Sequence, residues 1–521
     1  MKTCKKVLAF AFALVMLFAC VACGGNNSGN SNNGNNSSSD SNSGDAAVKD
    51  SLNIRIPDEF YTLDPHNWSL DSDFTMIYQI YEPLIRLDDE SNEIPVLATG
   101  YTMAEDGSSC TFTLAEGVTF SNGDVMTATD VQYSFERTKA SAYQSSLVDT
   151  VESVTADDAA NTVTVNFSTP TPGFIDSVSK ILVVNKAFTE ANMDENGMLG
   201  FNVCGTGPYT LKEYTRDASV TLEVNPNFRG EAPSIKTLTF HLITDENTAF
   251  TALKAGDLDI ARLDSANWNS LAGDPNYQTG AVLSNHVTYM VMNVTKAPFD
   301  NPLVRQAIAC ATNRDDIIAM TQDGMAVPTY TVATSQMVGY AEIEPQFTYD
   351  VDRAKDLLTQ AGYPNGLDIG EIQVLAGTYF ADVAVVLQQQ LAAVGITSTI
   401  TSLDGNALIA NCFGGNFGMA TMGQTNMYDM SWVDTYYSSS QIGSMNMAAY
   451  SNAEMDSMLA AAGSCMDPDE RVAMYKEILE KADEECAYLC LFNKTTGHAW
   501  AKDLNYTPTA RTAYYADCSW N

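Results

Sequence analysis

The chain has 521 residues, 45% of them apolar and 17% charged, which supplies a large core and excludes global disorder. Lys and Arg number 27 against 64 Asp and Glu, a net charge of −37, and removing the three lysines of the first 22 residues takes it to −40. A surface of that sign repels nucleic acid and anionic lipid and favours solubility; a specific cationic partner is the other reading.

Met1-Lys2-Thr3-Cys4-Lys5-Lys6 is a basic start, followed by an uncharged apolar run from Val7 to Ala22. Sixteen residues at the helical rise span about 24 Å, short of a hydrocarbon core of about 30 Å. The run therefore reads as the apolar part of a signal peptide over residues 1–22. It ends in Cys20-Val21-Ala22-Cys23-Gly24-Gly25, which resembles a bacterial lipobox. Cys23, preceded by Ala22 and followed by two glycines, is the expected acylated residue, with Cys20 as the alternative. Residues 23–50 hold this cysteine and a tether, almost wholly Gly, Asn, Ser and Asp from Gly24 on, which buries too little to fold and reaches about 30 Å as a coil. The folded part begins near Leu52 and hangs from the outer face of a membrane by lipid alone, since no other run approaches 18 apolar residues.

From there strands and helices alternate. Leu52–Ile56, Cys110–Leu114, Asn161–Phe167, Val220–Val224 and Thr237–Leu242 have the two-residue period of strands. Phe74–Leu84, Val131–Arg137 and Thr244–Ala255 read as helices, the second capped by Thr129 or Asp130 and the third closed by Gly256. A second half starts with a strand at Tyr289–Val294 and a helix at Leu303–Ala311, with Pro302 in its first turn. Helices at 352–361, 382–394, 452–463 and 467–485 and strands at 372–375, 396–400 and 487–492 follow. This predicts an α/β or α+β chain of at least two lobes, without tandem repeats.

Catalytic and metal motifs do not emerge. The four histidines, at 66, 241, 286 and 498, are far apart in sequence, and there is no HExxH, Walker, GxSxG or EF-hand pattern. Eight cysteines follow the lipobox, at 110, 204, 310, 412, 465, 486, 490 and 518, without a CxxC pair; buried thiols and disulfides are both open. No enzyme, no cofactor and no metal is the expectation. Two features point to binding. Gly418–Trp432 concentrates Met419, Met422, Met427, Met430, Tyr428 and Trp432 among polar residues, a composition of adaptable surfaces and also of cores. Trp68, Trp268, Tyr379, Gln424 and Asn426 fall in segments read as loops, where binding groups concentrate.

Several short segments, in order, carry a resemblance. Phe112-Thr113-Leu114 runs through Gly117-Val118-Thr119-Phe120-Ser121-Asn122-Gly123 to Thr129-Asp130-Val131. Gly205-Thr206-Gly207-Pro208-Tyr209, Asn225-Pro226-Asn227-Phe228-Arg229-Gly230 and Pro298-Phe299-Asp300 with Val304-Arg305-Gln306-Ala307-Ile308 follow, then Asn313-Arg314, Ala361-Gly362-Tyr363 and Asp469-Glu470-Arg471. Over about 450 residues the chain resembles the bacterial extracellular solute-binding proteins of family 5, the oligopeptide and dipeptide receptors of ABC importers.

The resemblance implies a two-lobed periplasmic-binding-protein-like α/β fold, type II in its large three-subdomain form, with a hinge and an interlobe cleft. One lobe would be 51–285 plus 487–521, with an inserted subdomain at about 94–202; the other would be 286–486. Crossings near Tyr289–Asn293 and Leu489–Asn493 would form the hinge. The implied function is capture of a short peptide and delivery to the permease and ATPase subunits, as a monomer and without covalent chemistry. A non-peptide solute (a sugar, a metal chelate or another small molecule) is the alternative. In peptide-binding members an Asp in a Gly-Trp-x-x-Asp-Tyr-like segment receives the ligand ammonium. Here that segment is Gly423–Asp429, with Gln424 at the Trp position and Met427 at the Asp position. Asp429, or Asp434, is then the candidate anchor. The expected pocket is Trp68, Tyr379, Gln424, Asn426, Met427, Asp429 and Trp432, with Tyr379 near a helix start whose N–H groups suit a carboxylate.

Overall fold

Two unusually long strands, Tyr277–Met292 and Tyr488–Ala501, run antiparallel through the middle of an eleven-stranded sheet. The structure, a computed structural model, describes residues 49–425 and 427–521. The signal peptide, Cys20, Cys23, nearly all of the tether and Asn426 lie outside the described residues. On one side of the central pair stands Ile260–Leu263, then Ser51–Ile56, Thr237–Leu242, Ser219–Val224 and Tyr209–Thr215. On the other stand Met419–Thr425, Leu367–Leu375 and Ile396–Leu403. The short strand Ala326–Pro328 pairs with Tyr488–Ala501 off this path. Alternation fixes the outer strands: Leu52 and Ile54 face Leu238 and Phe240 in parallel register, and all four are buried.

Local chemistry sets the helix ends. The helix Ala128–Ala140 begins three residues before the expected start, because Thr127 is the cap. Its side chain accepts from the Asp130 N–H while the Asp130 carboxylate accepts from the Thr127 N–H, a reciprocal pair that satisfies two orphan donors. Asn301 caps Pro302–Ala311, with the proline in the first turn as expected. Gly256 closes Glu246–Ala255 in the left-handed conformation that favours glycine. Gln424, read from sequence as a loop residue, lies in the strand Met419–Thr425, which has paired neighbours on both sides.

Buried apolar side chains fall into five clusters. Two draw on residues between Val287 and Phe492, on the two faces of that half of the sheet. Two others, built on Leu52–Ile260 with Trp500–Cys518 and on Leu253–Leu271 with Ala499, hold the opposite half. The fifth, from Leu84 to Cys204, lies under a separate four-stranded sheet, Ala98–Met103, Ser109–Leu114, Thr162–Phe167 and Val151–Asp157, and centres on Phe112, Phe135 and Phe174. Met419, Met422, Met430, Met447 and Met455 are buried in the Val287–Phe492 cores, so most of the methionine cluster is packing. The eight described cysteines are free thiols, seven of them buried. Among the described residues no group of His, Cys, Asp or Glu is arranged to hold a metal ion, and no helix is long and apolar enough to cross a membrane.

Candidate functional site

The two long strands leave one set of cores and enter the other within a few residues. Val287–Met292 and Leu489–Phe492, which include most of the residues expected as crossings, are buried in the second set. The ladder breaks between Leu283 and Val287, where Ser284, Asn285 and His286 oppose the single residue Lys494. Such a bulge turns side chains out of the ladder. The Ser284 hydroxyl donates to the Lys494 carbonyl (2.8 Å) and the Asn493 amide to the His286 carbonyl (3.3 Å). Asn285 is buried, bonds the Thr334 hydroxyl, and donates to the Met427 carbonyl at 2.9 Å. The bulge is thereby tied to the segment that follows Thr425.

That segment has two parts. At the first, Gly423 faces the His286 ring so closely that an added Cβ would lie 2.5 Å from Nε2 and 2.9 Å from the Phe380 ring, so any larger residue would displace these rings. His286 bridges the hydroxyls of Thr425, 3.2 Å from Nδ1, and Tyr379, 3.3 Å from Nε2. Tyr379 also shares a hydrogen bond with the Thr288 hydroxyl at 3.0 Å. Burial, with the Lys494 charge adding to it, pushes His286 down to about 4, so it is neutral at pH 7. Tyr379 is the first residue of the helix Tyr379–Ala393, which has no side-chain cap. The Lys494 ammonium lies 4.5 Å from the centre of the Tyr379 ring. Gln424 is half-buried, its amide donating to the Thr425 carbonyl at 3.3 Å.

At the second part the chain crosses onto the Leu84–Cys204 core and the C-terminal tail. Met427 packs on that core, with the Lys180 ammonium 3.8 Å from its sulfur. The Tyr428 hydroxyl donates to the Ala510 carbonyl at 2.6 Å, and its ring is covered by Arg511 at 4.0 Å. Arg511 donates to Asp176 (3.2 Å), which also receives Lys180 (2.8 Å). Burial alone would raise the Asp176 carboxyl, but the two cations hold it below its ordinary value. Asp429 is buried and takes both oxygens to Arg471, so its carboxylate is neutralised within the protein.

The structure thus brings Tyr379, Gln424 and Met427 along one line, with Asp429 just beyond, committed to an internal pair. Trp68 stacks on Phe74 at 4.4 Å in the N-terminal core, and Trp432 packs in a Val287–Phe492 core. Neither makes a ring contact or hydrogen bond with Gly423–Met427 among the described residues. Both indole N–H groups are buried and have no hydrogen-bond partner among the described residues. Asp434 lines a hollow with Ser431, Asp456 and Tyr475, and burial, then Asp456, raises its carboxyl. Trp268, read as a loop residue, lies on the helix Ser265–Ser270 and covers Gly497. Sequence reading missed His286, Asn285, Lys180, Arg511 and Lys494. The one available signal was a lysine inside an otherwise neutral, buried strand of a strongly acidic chain.

Five apolar cores about one large sheet, two of them reached by a pair of long antiparallel strands, define a mixed α/β fold of the binding-protein kind. The family model described as bacterial extracellular solute-binding proteins, family 5 (middle region), matches residues 92–446, and the chain belongs to that family. It is 28% identical over 476 residues to the glutathione-binding protein GsiB of Salmonella typhimurium, covering 88% of this chain and 91% of that one. Its fold matches the binding protein DppA of Helicobacter pylori in complex with the peptide STSA, at TM-score 0.74 and 23% identity over 91% of this chain and 98% of that one. It also matches NikZ of Campylobacter jejuni in complex with Ni(L-His), at TM-score 0.74 and 21% identity over 90% and 99%. The fold is that of the periplasmic binding proteins, mixed α/β about one large sheet, in a protein of the periplasm or cell exterior.

Proposed function

We propose that this protein is the receptor of an ABC importer, captures short peptides between two lobes and hands them to the permease. The lobes are 51–285 plus 487–521 and 286–486, with residues about 94–202 inserted in the first. The carrying observation is the Gly423–Asp429 segment, which lines the crossing strands with its first half and spans to the other cores with its second. A ligand held there touches both lobes and favours their closed arrangement. The peptide bound by DppA and the glutathione bound by GsiB are of the size and chemistry this reading assigns.

Cys23 carries the lipid and residues 24–50 are the tether. No catalysis is involved, the working form is a monomer, and nucleic acid is not a partner. The Asp429–Arg471 pair favours a second reading, a solute without a free amine, because the carboxylate that would receive an ammonium is already matched. X-ray scattering with and without a pool of di- to pentapeptides separates the readings. Compaction by peptides supports the first. Compaction only by sugars or metal chelates supports the second, and no compaction by any of them removes both.

A further inference from the structure

Lys494 is the one residue opposite the three-residue bulge Ser284–His286, and so sits where both long strands pass between the cores. Its side chain is half-buried, and among the described residues its ammonium makes no hydrogen bond and no ion pair. That is unusual chemistry in a chain with 64 acidic residues against 27 basic ones, since a cation withdrawn from water is normally matched by a carboxylate. Four other withdrawn cations are matched: Arg471 has Asp429, Arg137 has Asp64, and Lys180 and Arg511 share Asp176; Arg314 has no carboxylate but is held by the Thr329 and Cys490 carbonyls, contacts of a kind that the Lys494 ammonium lacks among the described residues.

The groups that meet Lys494 suit an incoming anion, although Asp382 stands in the first turn of the helix that Tyr379 opens. The ammonium is held over the Tyr379 ring. His286 is neutral and turned to the Tyr379 and Thr425 hydroxyls. Tyr379 opens a fifteen-residue helix whose first turn has no side-chain cap. Burial, then the charge of Arg262, lowers the Lys494 ammonium from its ordinary value, the direction expected of a cation whose counter-charge is not in the protein. The Gln424 side chain and the exposed Thr425 complete an edge that reaches solvent.

We infer that Lys494, positioned by Tyr379 and His286, is a specificity-determining residue that receives a carboxylate of the bound ligand. The inference rests on the receptor reading above and adds the chemical class: the ligand carries at least one free carboxylate. That group comes either from the peptide C-terminus or from an acidic side chain.

The test uses the full chain and three matched pools of short synthetic peptides: neutral side chains with a free C-terminus, the same peptides amidated, and amidated peptides carrying one Glu. Binding is followed by thermal shift and then by calorimetry on the strongest member. Wild type is expected to bind one of the two carboxylate-bearing pools at least tenfold tighter than the neutral amides, and which pool wins identifies the source of the group. Lys494→Met, which keeps the stem on Tyr379, is expected to lose that preference, and Lys494→Arg to retain it. Equal binding of acids and neutral amides by wild type, or a preference that survives Lys494→Met, overturns the carboxylate subsite while leaving the receptor standing. A wild-type protein that binds none of the pools overturns the peptide reading and the subsite with it.

Discussion

The carboxylate of Asp429 and the guanidinium of Arg471 meet through two hydrogen bonds, 3.0 Å from Nη1 and 2.6 Å from Nη2, and each residue is only 5% exposed. The same carboxylate accepts from the Ser431 N–H at 2.9 Å and so starts the turn Met430–Val433. Removing one partner of a buried ion pair leaves an uncompensated charge, at a cost of about 3–5 kcal/mol. Asp429→Asn is therefore expected to lower the free energy of unfolding by that order. Asp429→Leu combined with Arg471→Met is expected to cost less than either single change. Urea denaturation of wild type, Asp429→Asn, Asp429→Leu, Arg471→Met and the double variant checks this; strictly additive costs of the Leu and Met changes would show that the pair does not act as a unit.

Gly173 lies directly against that pair. A Cβ there would stand 2.5 Å from the Asp429 carboxyl carbon, and a carboxylate held by two guanidinium bonds has nowhere to move. Gly173 has φ of −82°, which any residue adopts, so the requirement is space and not backbone conformation. Gly173 precedes Phe174 of the Leu84–Cys204 core, and Asp429 approaches it from the segment after Thr425. Gly173→Ala is expected to hinder this approach at a cost of about 1–3 kcal/mol, weakening ligand affinity about fivefold or more. Calorimetry with the preferred ligand reads the affinity, and wild-type affinity in the variant would show that this contact is not part of the bound state.

Three of the four histidines are held neutral, His66 and His498 buried and His286 half-buried: His66 at about 4, His286 at about 4 and His498 at about 3, in each case chiefly through withdrawal from water. His66 shows the mechanism. One ring nitrogen lies 3.0 Å from the Leu182 carbonyl and the other 3.0 Å from the Arg137 guanidinium, so a second ring proton would face a cation. These pKa values fall below the unfolded value of about 6.5, so the unfolded chain binds the extra protons. The stabilisation is complete above about pH 6.5 and is lost as the pH falls toward 4, at about 1.4 kcal/mol per unit of depression. His66→Gln is expected to flatten the stability profile between pH 7 and 4 by about 3 kcal/mol relative to wild type. Parallel profiles for the two proteins would contradict the neutral, buried state of His66.

The outer framework was legible because its patterns are local. Thr237–Leu242 alternates cleanly, and the glycine after Ala255 and the proline after Asn301 mark helix ends by steric rules that hold anywhere. The centre was not legible for the opposite reason. Tyr277–Met292 reads as a strand only from Tyr289, because Thr279, Ser284, Asn285 and His286 are held by backbone ladders and a bulge instead of by burial of alternate side chains. Met419–Thr425 lost its period because it has neighbours on both edges and buries residues on both faces. At the site, Gln424, Met427 and Tyr379 were visible as an aromatic and polar excess. Asp429 was visible as an acid, but its partner is 42 residues away, a separation that no local pattern encodes.

Native mass spectrometry of the soluble chain lacking the first 23 residues, purified without refolding, tests the central claim most directly. The account predicts a set of small adducts, retained from the expression host or gained from a peptide pool, that fragment as short peptides bearing a free carboxylate. A protein that carries only sugar or metal-chelate adducts, or that stays at its bare mass after incubation with peptides, would contradict it.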